Sequence, residues 1–72
     1  MAPDLTEMEK LAYLLDHWQE HNDEHIKNYH TWAERAQAQG HEQTASLLKD
    51  AADTSARINE LFSQAKAALE KR

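Results

Sequence analysis

The chain has 72 residues, no Cys, one Gly and one Pro. This length allows one small domain, and the missing thiols exclude disulfides and thiolate metal centres. So few turn residues argue against a β-sandwich or barrel. The net charge of −5 arises in residues 1–39, which hold eight acids and three bases. Because such a surface repels phosphate, no nucleic-acid binding is expected.

Membrane insertion is not expected either. No segment approaches the roughly 18 apolar residues of a membrane span, and the first residues lack the basic and then apolar layout of a signal peptide. We therefore expect a cytoplasmic protein with no membrane partner.

The first helix is predicted over residues of about 4–39. Its start carries two possible capping boxes, Asp4 with Glu7 or Thr6 with Glu9. Steps of three and four residues then predict a stripe packed lengthwise on a partner helix. The stripe consists of Met8, Leu11, Leu15, Trp18, Asn22, His25, Tyr29, Trp32 and Ala36. Its aromatic members are expected in the core.

The second helix is predicted over residues of about 41–70, after a turn at Gly40. Its own stripe is Thr44, Leu48, Ala51, Ser55, Ile58, Phe62, Ala65 and Leu69. A turn this short makes the helices antiparallel neighbours, with facing residue numbers that sum to about 80. Trp18 is then expected against Phe62, and Asn22 and His25 against Ser55 and Asn59.

The predicted fold is all-α, a single antiparallel two-helix hairpin over residues 1–72. A lone hairpin of this size buries too little apolar surface to be stable. Apolar residues beside both stripes widen the apolar surface beyond what one helix covers. We therefore expect a homodimer that forms a four-helix bundle, with the parallel or antiparallel arrangement of the hairpins left open.

Histidine is the unusual feature, with four of the five His residues between His17 and His30. Imidazoles four residues apart on a helix can chelate nickel, zinc, copper or cobalt. His21 and His25 form the favoured metal-binding pair, and His17 is the third candidate. Glu24 is a candidate carboxylate ligand. The remaining His30 and His41 are not expected to take part.

An enzyme is not predicted. Residues 17–21 and 21–25 both match the H-x-x-E-H zinc pattern of inverzincin proteases. However, the sequence offers no remote carboxylate ligand and no substrate cleft. The Glu-x-x-His signature of ferritin-like di-iron proteins is absent, because Leu14, Trp18 and Asn22 stand three residues before the His residues.

The segment His17-Trp18-Gln19-Glu20-His21-Asn22-Asp23-Glu24-His25, followed by Tyr29, Trp32 and Ala33, resembles a family of short prokaryotic helical hairpins. Its pattern is H-W-x-E-H-N-x-E-H-x-x-x-[YF]-x-x-W-A. Similar hairpins occur alone or attached to small nickel-binding accessory proteins of the carbon monoxide dehydrogenase type. The resemblance implies that His17, His21 and His25 bind nickel or a similar ion, with a possible protein partner in metal handling.

Three functions remain open. The first is a transition-metal-binding accessory, storage or sensing module, in which neutral imidazoles bind the ion and protons compete with it. The second is a protein-interaction module in which a polar layer of His and Asn sets dimer pairing. A third, an acid switch at His25, would loosen the dimer near pH 5–6.

Overall fold

A computed structural model of the chain describes residues 6–71, which form two α-helices joined by a tight turn. Helix α1 spans Glu7–Ala38 and helix α2 spans Glu42–Lys71. The two helices pack against each other, which confirms the all-α helical hairpin. The candidate cap Asp4 and the other residues before 6 lie outside the described residues.

Helix α1 begins with the second of the two predicted capping boxes, that of Thr6 and Glu9. The Thr6 hydroxyl accepts a hydrogen bond from the Glu9 N–H at 3.1 Å, and the Glu9 carboxylate accepts one from the Thr6 N–H at 2.9 Å. These bonds pair two N–H groups at the start of the helix. Because the Thr6 backbone and hydroxyl stabilise the charged carboxylate, they hold the pKa of Glu9 below its ordinary value of 4.5.

The turn contains the predicted glycine in a left-handed conformation. Gly40 has a φ of 87°, which costs little without a side chain. The His41 N–H donates to the Ala36 carbonyl at 2.9 Å, and the Gly40 N–H donates to the Gln37 carbonyl at 3.0 Å. This pair of bonds is a Schellman motif, so α1 ends and the chain reverses within three residues.

The observed helix–helix core differs from the predicted stripes at every second position, where the core residue is the one that follows the predicted residue. On α1 the core follows Leu15, Gln19, Asn22, Ile26, Tyr29, Ala33 and Ala36, so Trp18, His25 and Trp32 lie outside it. On α2 the core follows Ala45, Leu48, Ala52, Ser55, Asn59, Phe62, Lys66 and Leu69. Each set keeps the spacing of heptad a and d positions.

Small side chains explain why the core takes this rotation of the helices. Ala33, Ala45 and Ala52 are 0–2% exposed. Helix separation depends on the side chains at the contact, and alanines allow the closest approach. An indole at such a position would hold the helices apart, so Trp18 and Trp32 lie at the edge, 40% and 57% exposed.

The predicted register is confirmed. The rings of Trp18 and Phe62 are 5.7 Å apart. The Asn22 amide donates to the Ser55 carbonyl at 2.8 Å and to the Asn59 side-chain oxygen at 3.0 Å. The facing residue numbers therefore sum to about 80 at the middle of the hairpin.

The hairpin is a single layer of helices. Its Cα atoms span 58 × 25 × 10 Å. Domains ordinarily bury their apolar surface between two layers. Here the buried side chains within residues 6–71 are Leu15, Ala33, Ala45, Ala52 and Ser55. Both broad faces of the hairpin are therefore open.

Candidate metal site

His21 and His25 lie one turn apart on α1, and the structure brings their side chains together. Their Nε2 atoms are 3.1 Å apart and their ring centroids 4.6 Å apart. Zinc–imidazole bonds of about 2.0–2.1 Å at a tetrahedral angle place two nitrogens about 3.3–3.4 Å apart. The observed separation is that of a hydrogen bond between the two rings, and it lies within about 0.3 Å of the spacing of a two-point chelate. Both rings are exposed to solvent.

The location of the pair differs from the prediction. His25 was expected in the core, opposite Ser55, and it is instead exposed at the edge of the hairpin. Ile26 takes the core position one residue further on. An ion can consequently reach His25 from solvent without any opening of the helices.

His17 continues the row of rings along α1, and Tyr29 extends it at the other end. The ring of His17 stacks on that of His21 at 6.2 Å, and the ring of Tyr29 stacks on that of His25 at 6.1 Å. Glu24 is exposed on the outer side of α1. Across residues 6–71, no group of three or more His, Cys, Asp or Glu side chains is placed to hold one ion.

The other two histidines lie elsewhere. His30 is exposed on α1, and His41 precedes α2 in the turn. Neither has a ring contact with the row that runs from His17 to Tyr29.

A layer of polar side chains crosses the core beside the histidine pair. Asn22 makes the two bonds to α2 described above, and Asn59 in turn donates to the Asp23 carboxylate at 2.7 Å. The layer was predicted from Asn22, His25, Ser55 and Asn59. His25 lies outside it, and Asp23 was missed. Its place next to Asn22 in the sequence was the available signal.

This polar layer is satisfied by its own hydrogen bonds. No buried side-chain nitrogen or oxygen of residues 6–71 lacks a partner. Because Asn22 donates to Asn59 and to the Ser55 carbonyl, and Asn59 donates to Asp23, the layer needs no ion. The histidine pair and the polar layer are therefore separate features on the same turn of α1.

The two broad faces of the hairpin carry different side chains. We assign Leu15 of α1 and Leu48 of α2 to heptad position d, so that the following residue on each helix is an e position. In an antiparallel pair of helices, equivalent heptad positions lie side by side. The e positions of both helices therefore share one face of the hairpin, and the g positions share the other. We call the e-side surface the polar face. It carries the cross-helix pairs Asp16–Lys66, Asp23–Asn59 and Gln37–Lys49, at 2.7–3.1 Å. The adjacent Asp16 carboxylate raises the pKa of Lys66 above its ordinary value of 10.5.

The opposite surface, which we call the apolar face, carries the c and g positions. On α1, in the stretch from Leu14 to Trp32, these are Leu14, Trp18, His21, His25, Asn28 and Trp32. On α2 they are Leu47, Ala51, Thr54, Ile58, Leu61, Ala65 and Ala68. None of these thirteen is Asp, Glu, Lys or Arg, although such residues make up 29% of the chain. The next c position on α1 is Arg35, whose guanidinium lies over the Trp32 ring at the end of this face. The histidine pair therefore lies on a stretch of surface without Asp, Glu, Lys or Arg.

Neither helix has a long enough apolar stretch to cross a membrane, within the part of the chain that the structure describes.

Comparison with known proteins places the chain in a family. The model of a domain of unknown function, DUF8180, matches residues 11–69. An uncharacterized protein of Archaeoglobus fulgidus is 36% identical over 58 residues, which cover 81% of this chain and 92% of that protein. No solved structure matches the chain. The chain belongs to the DUF8180 family of domains of unknown function.

Proposed function

We propose that the protein is a cytoplasmic, non-catalytic metal-binding module that holds a divalent transition ion through His21 and His25. The observation that carries the proposal is the 3.1 Å separation of the two Nε2 atoms. Two nitrogens at this spacing bind one ion with little loss of side-chain entropy, because the helix already holds both rings. An accessory, storage or sensing role fits an exposed site of this kind.

Nickel, zinc, copper and cobalt are the ions of interest, since imidazole nitrogen suits all four. The resemblance to hairpins attached to nickel-binding accessory proteins supports nickel among them. Ligands must be deprotonated to bind, so protons compete with the ion and binding weakens in acid. His17 and Glu24, next to the pair along α1, remain the further candidate ligands.

Native mass spectrometry of the untagged protein tests the proposal. Each of the four ions is added to the full chain in turn, and the number of bound ions per chain is counted. We expect a fixed number that is lost in the His21→Ala/His25→Ala variant. The matched control is His30→Ala/His41→Ala, which removes two exposed imidazoles outside the pair and should leave the number unchanged.

Thermal unfolding gives an independent readout. An ion that binds the folded chain stabilises it in proportion to the logarithm of its concentration over Kd, about 2.7 kcal/mol at 100 times Kd. We expect EDTA to remove this gain in the wild type and to have no effect on His21→Ala/His25→Ala. An equal gain in both proteins would show that the pair is not the site.

The second candidate function is a protein-interaction module, favoured by the exposed Trp32 and by the hydrogen bonds of Asn22. In that case the histidines only shape the surface that meets the partner. It predicts that His25→Leu raises the melting temperature while added metals and chelators have no effect. A metal-dependent melting temperature in the wild type would reject it.

A further inference from the structure

The apolar face has the spacing of a second helix-packing stripe. On α1 its six positions follow one another in steps of four and three residues, from Leu14 to Trp32. On α2 the steps are the same, from Leu47 to Ala68. Such spacing is typical of a helix face that packs lengthwise on another helix. Each helix of the hairpin therefore has one stripe in use and a second one exposed.

The exposed area matches what a dimer needs. The chain has 5855 Å² of accessible surface, whereas a compact monomer of its mass exposes about 4,600 Å². The excess of about 1,300 Å² is larger than the roughly 800 Å² that each partner buries in a standard interface. Six of the eight large hydrophobic side chains that are exposed within residues 6–71 lie on the apolar face.

The charge pattern favours a second copy of this chain as the occupant. Two copies of a protein with a net charge of −5 repel each other wherever charged surfaces meet. Between Leu14 and Trp32 on α1 and between Leu47 and Ala68 on α2, the apolar face carries no Asp, Glu, Lys or Arg, and the charged residue at its end is the cation Arg35. The face can therefore meet its own copy without bringing carboxylates together. Closed two-fold dimers are also the commonest oligomers, and they use the same patch on both subunits.

The position of the histidine pair along the helix fixes what such a dimer would bring together. Helix α1 runs from Glu7 to Ala38, and His21 and His25 flank its midpoint. In a two-fold antiparallel packing of α1 on its copy with full overlap, facing residue numbers sum to about 46. His21 then faces the His25 of the second copy, and Leu14 faces the shallow groove lined by Trp32, Arg35, Thr44 and Leu48.

We propose that two chains pack antiparallel through their apolar faces and that His21 and His25 of both copies form one four-nitrogen site for a divalent transition ion. This inference rests on the proposed function. A single chain offers only the two ligands His21 and His25 within its described residues. A tetrahedral ion with four protein ligands needs two further ligands, which the second chain would supply. His17 and Glu24 lie outside the four-nitrogen site.

Stoichiometry and self-association together test the shared site, with zinc as the probe. Sedimentation of the full chain and native mass spectrometry should show one zinc per two chains. Zinc should lower the dimer Kd at least tenfold. The His21→Ala/His25→Ala variant should lose both the ion and the tightening, and His30→Ala/His41→Ala should keep both.

The outcomes separate the two proposals. One zinc per chain on a monomer overturns the shared site and leaves the proposed function standing. A chain that binds none of the four metals overturns both. A zinc-bound dimer that survives in the His21→Ala/His25→Ala variant also overturns both.

Cross-linking tests the antiparallel arrangement, because residues 6–71 contain no cysteine to interfere. Facing positions on α2 sum to about 115, so we mix Thr54→Cys with Leu61→Cys, both at exposed sites. Mild oxidation should link the two variants to each other at least threefold more than either links to itself. The matched control mixes Ala56→Cys with Ser63→Cys on the polar face. If this mixture cross-links as much as the mixture of Thr54→Cys and Leu61→Cys, the antiparallel packing through the apolar faces is overturned.

Discussion

The polar face and the apolar face of the hairpin use the same two helices for opposite purposes. On the polar face, Asp16, Asp23 and Gln37 each reach across to a partner on α2. On the apolar face, Trp18 contacts Phe62 but remains 40% exposed, and Trp32 is covered only in part by the Arg35 guanidinium, 4.7 Å from its ring. The polar face thus completes its contacts within one chain, whereas the apolar face does not.

This difference places the candidate metal site on the incomplete side. Among the described residues, the only ones whose rings contact His21 and His25 besides each other are their neighbours along α1, His17 and Tyr29, and the outer surface of the pair is solvent. Asn22, one residue from His21, is instead bound to Ser55 and Asn59. Neighbouring residues on one helical turn therefore serve the hairpin core and the open surface separately, because successive residues differ by about 100° around a helix.

The largest expected effect comes from a charge placed on the apolar face. Ile58 lies near the middle of that face, so Ile58→Glu puts two carboxylates into the proposed dimer interface. An unpaired buried charge costs about 3–5 kcal/mol. We expect the dimer Kd to rise at least 100-fold, measured by sedimentation equilibrium.

The matched control for that charge is Ala56→Glu, two residues away on the polar face. It adds the same carboxylate at an exposed position and should change the dimer Kd less than threefold. If both variants weaken the dimer equally, the assignment of the interface to the apolar face is wrong.

A smaller effect separates the polar layer from the histidine pair. Asn22→Ala removes two hydrogen bonds and leaves the Asn59 side chain short of a partner, which costs about 1–3 kcal/mol. Each kcal/mol lowers the melting temperature of a domain this size by about 4–8 °C. The matched variant His25→Ala, measured in EDTA, should stay within about 0.5 kcal/mol because His25 is exposed.

Circular dichroism at one fixed protein concentration records both melting temperatures. If His25→Ala without metal destabilises the chain as much as Asn22→Ala does, the histidine pair belongs to the core and is not separate from the polar layer.

The smallest effect concerns the ion pair on the polar face, Asp16–Lys66, at 2.7 Å. The pKa of Lys66 is raised by Asp16, so the stabilisation is fully present below pH 10.5 and is lost as pH rises through the raised value. Lys66→Gln should lower the melting temperature slightly at pH 7, and the difference should vanish at higher pH and shrink in 1 M salt.

Lys49→Gln is the control for the ion pair, because Lys49 donates to the neutral Gln37 amide. Its effect on the melting temperature should not depend on salt. A Lys66→Gln effect that is equally independent of salt would mean that packing of the Lys66 stem, and not charge, is what the polar face provides.

Most of the local structure was predictable from the sequence. The Thr6–Glu9 capping box, the turn at Gly40 and the contact of Trp18 with Phe62 are all confirmed. These features depend on residues close in the chain or on the length of the turn, which sets the register. The link between Asn22 and Ser55 was predictable for the same reason.

The rotation of each helix about its own axis was not predictable, because the predicted stripe and the observed core have the same spacing of three and four residues. Leu15, Asn22 and Tyr29 belong to either stripe, and the choice between Trp32 and Ala33 decides which face is the core. Hydrophobicity favours the tryptophan, while close packing favours the alanine. The same choice moves His25 from the core to the open face.

The sequence by itself therefore determined two helices, the turn between them, their antiparallel register and the closeness of His21 to His25 along α1. Those properties follow from backbone hydrogen bonding and helical periodicity, which are local. Only the tertiary structure decided which side of each helix is buried. Packing of Ala33 with the alanines of α2 depends on the fit of two surfaces, and it leaves the tryptophans and the histidine pair exposed on the apolar face.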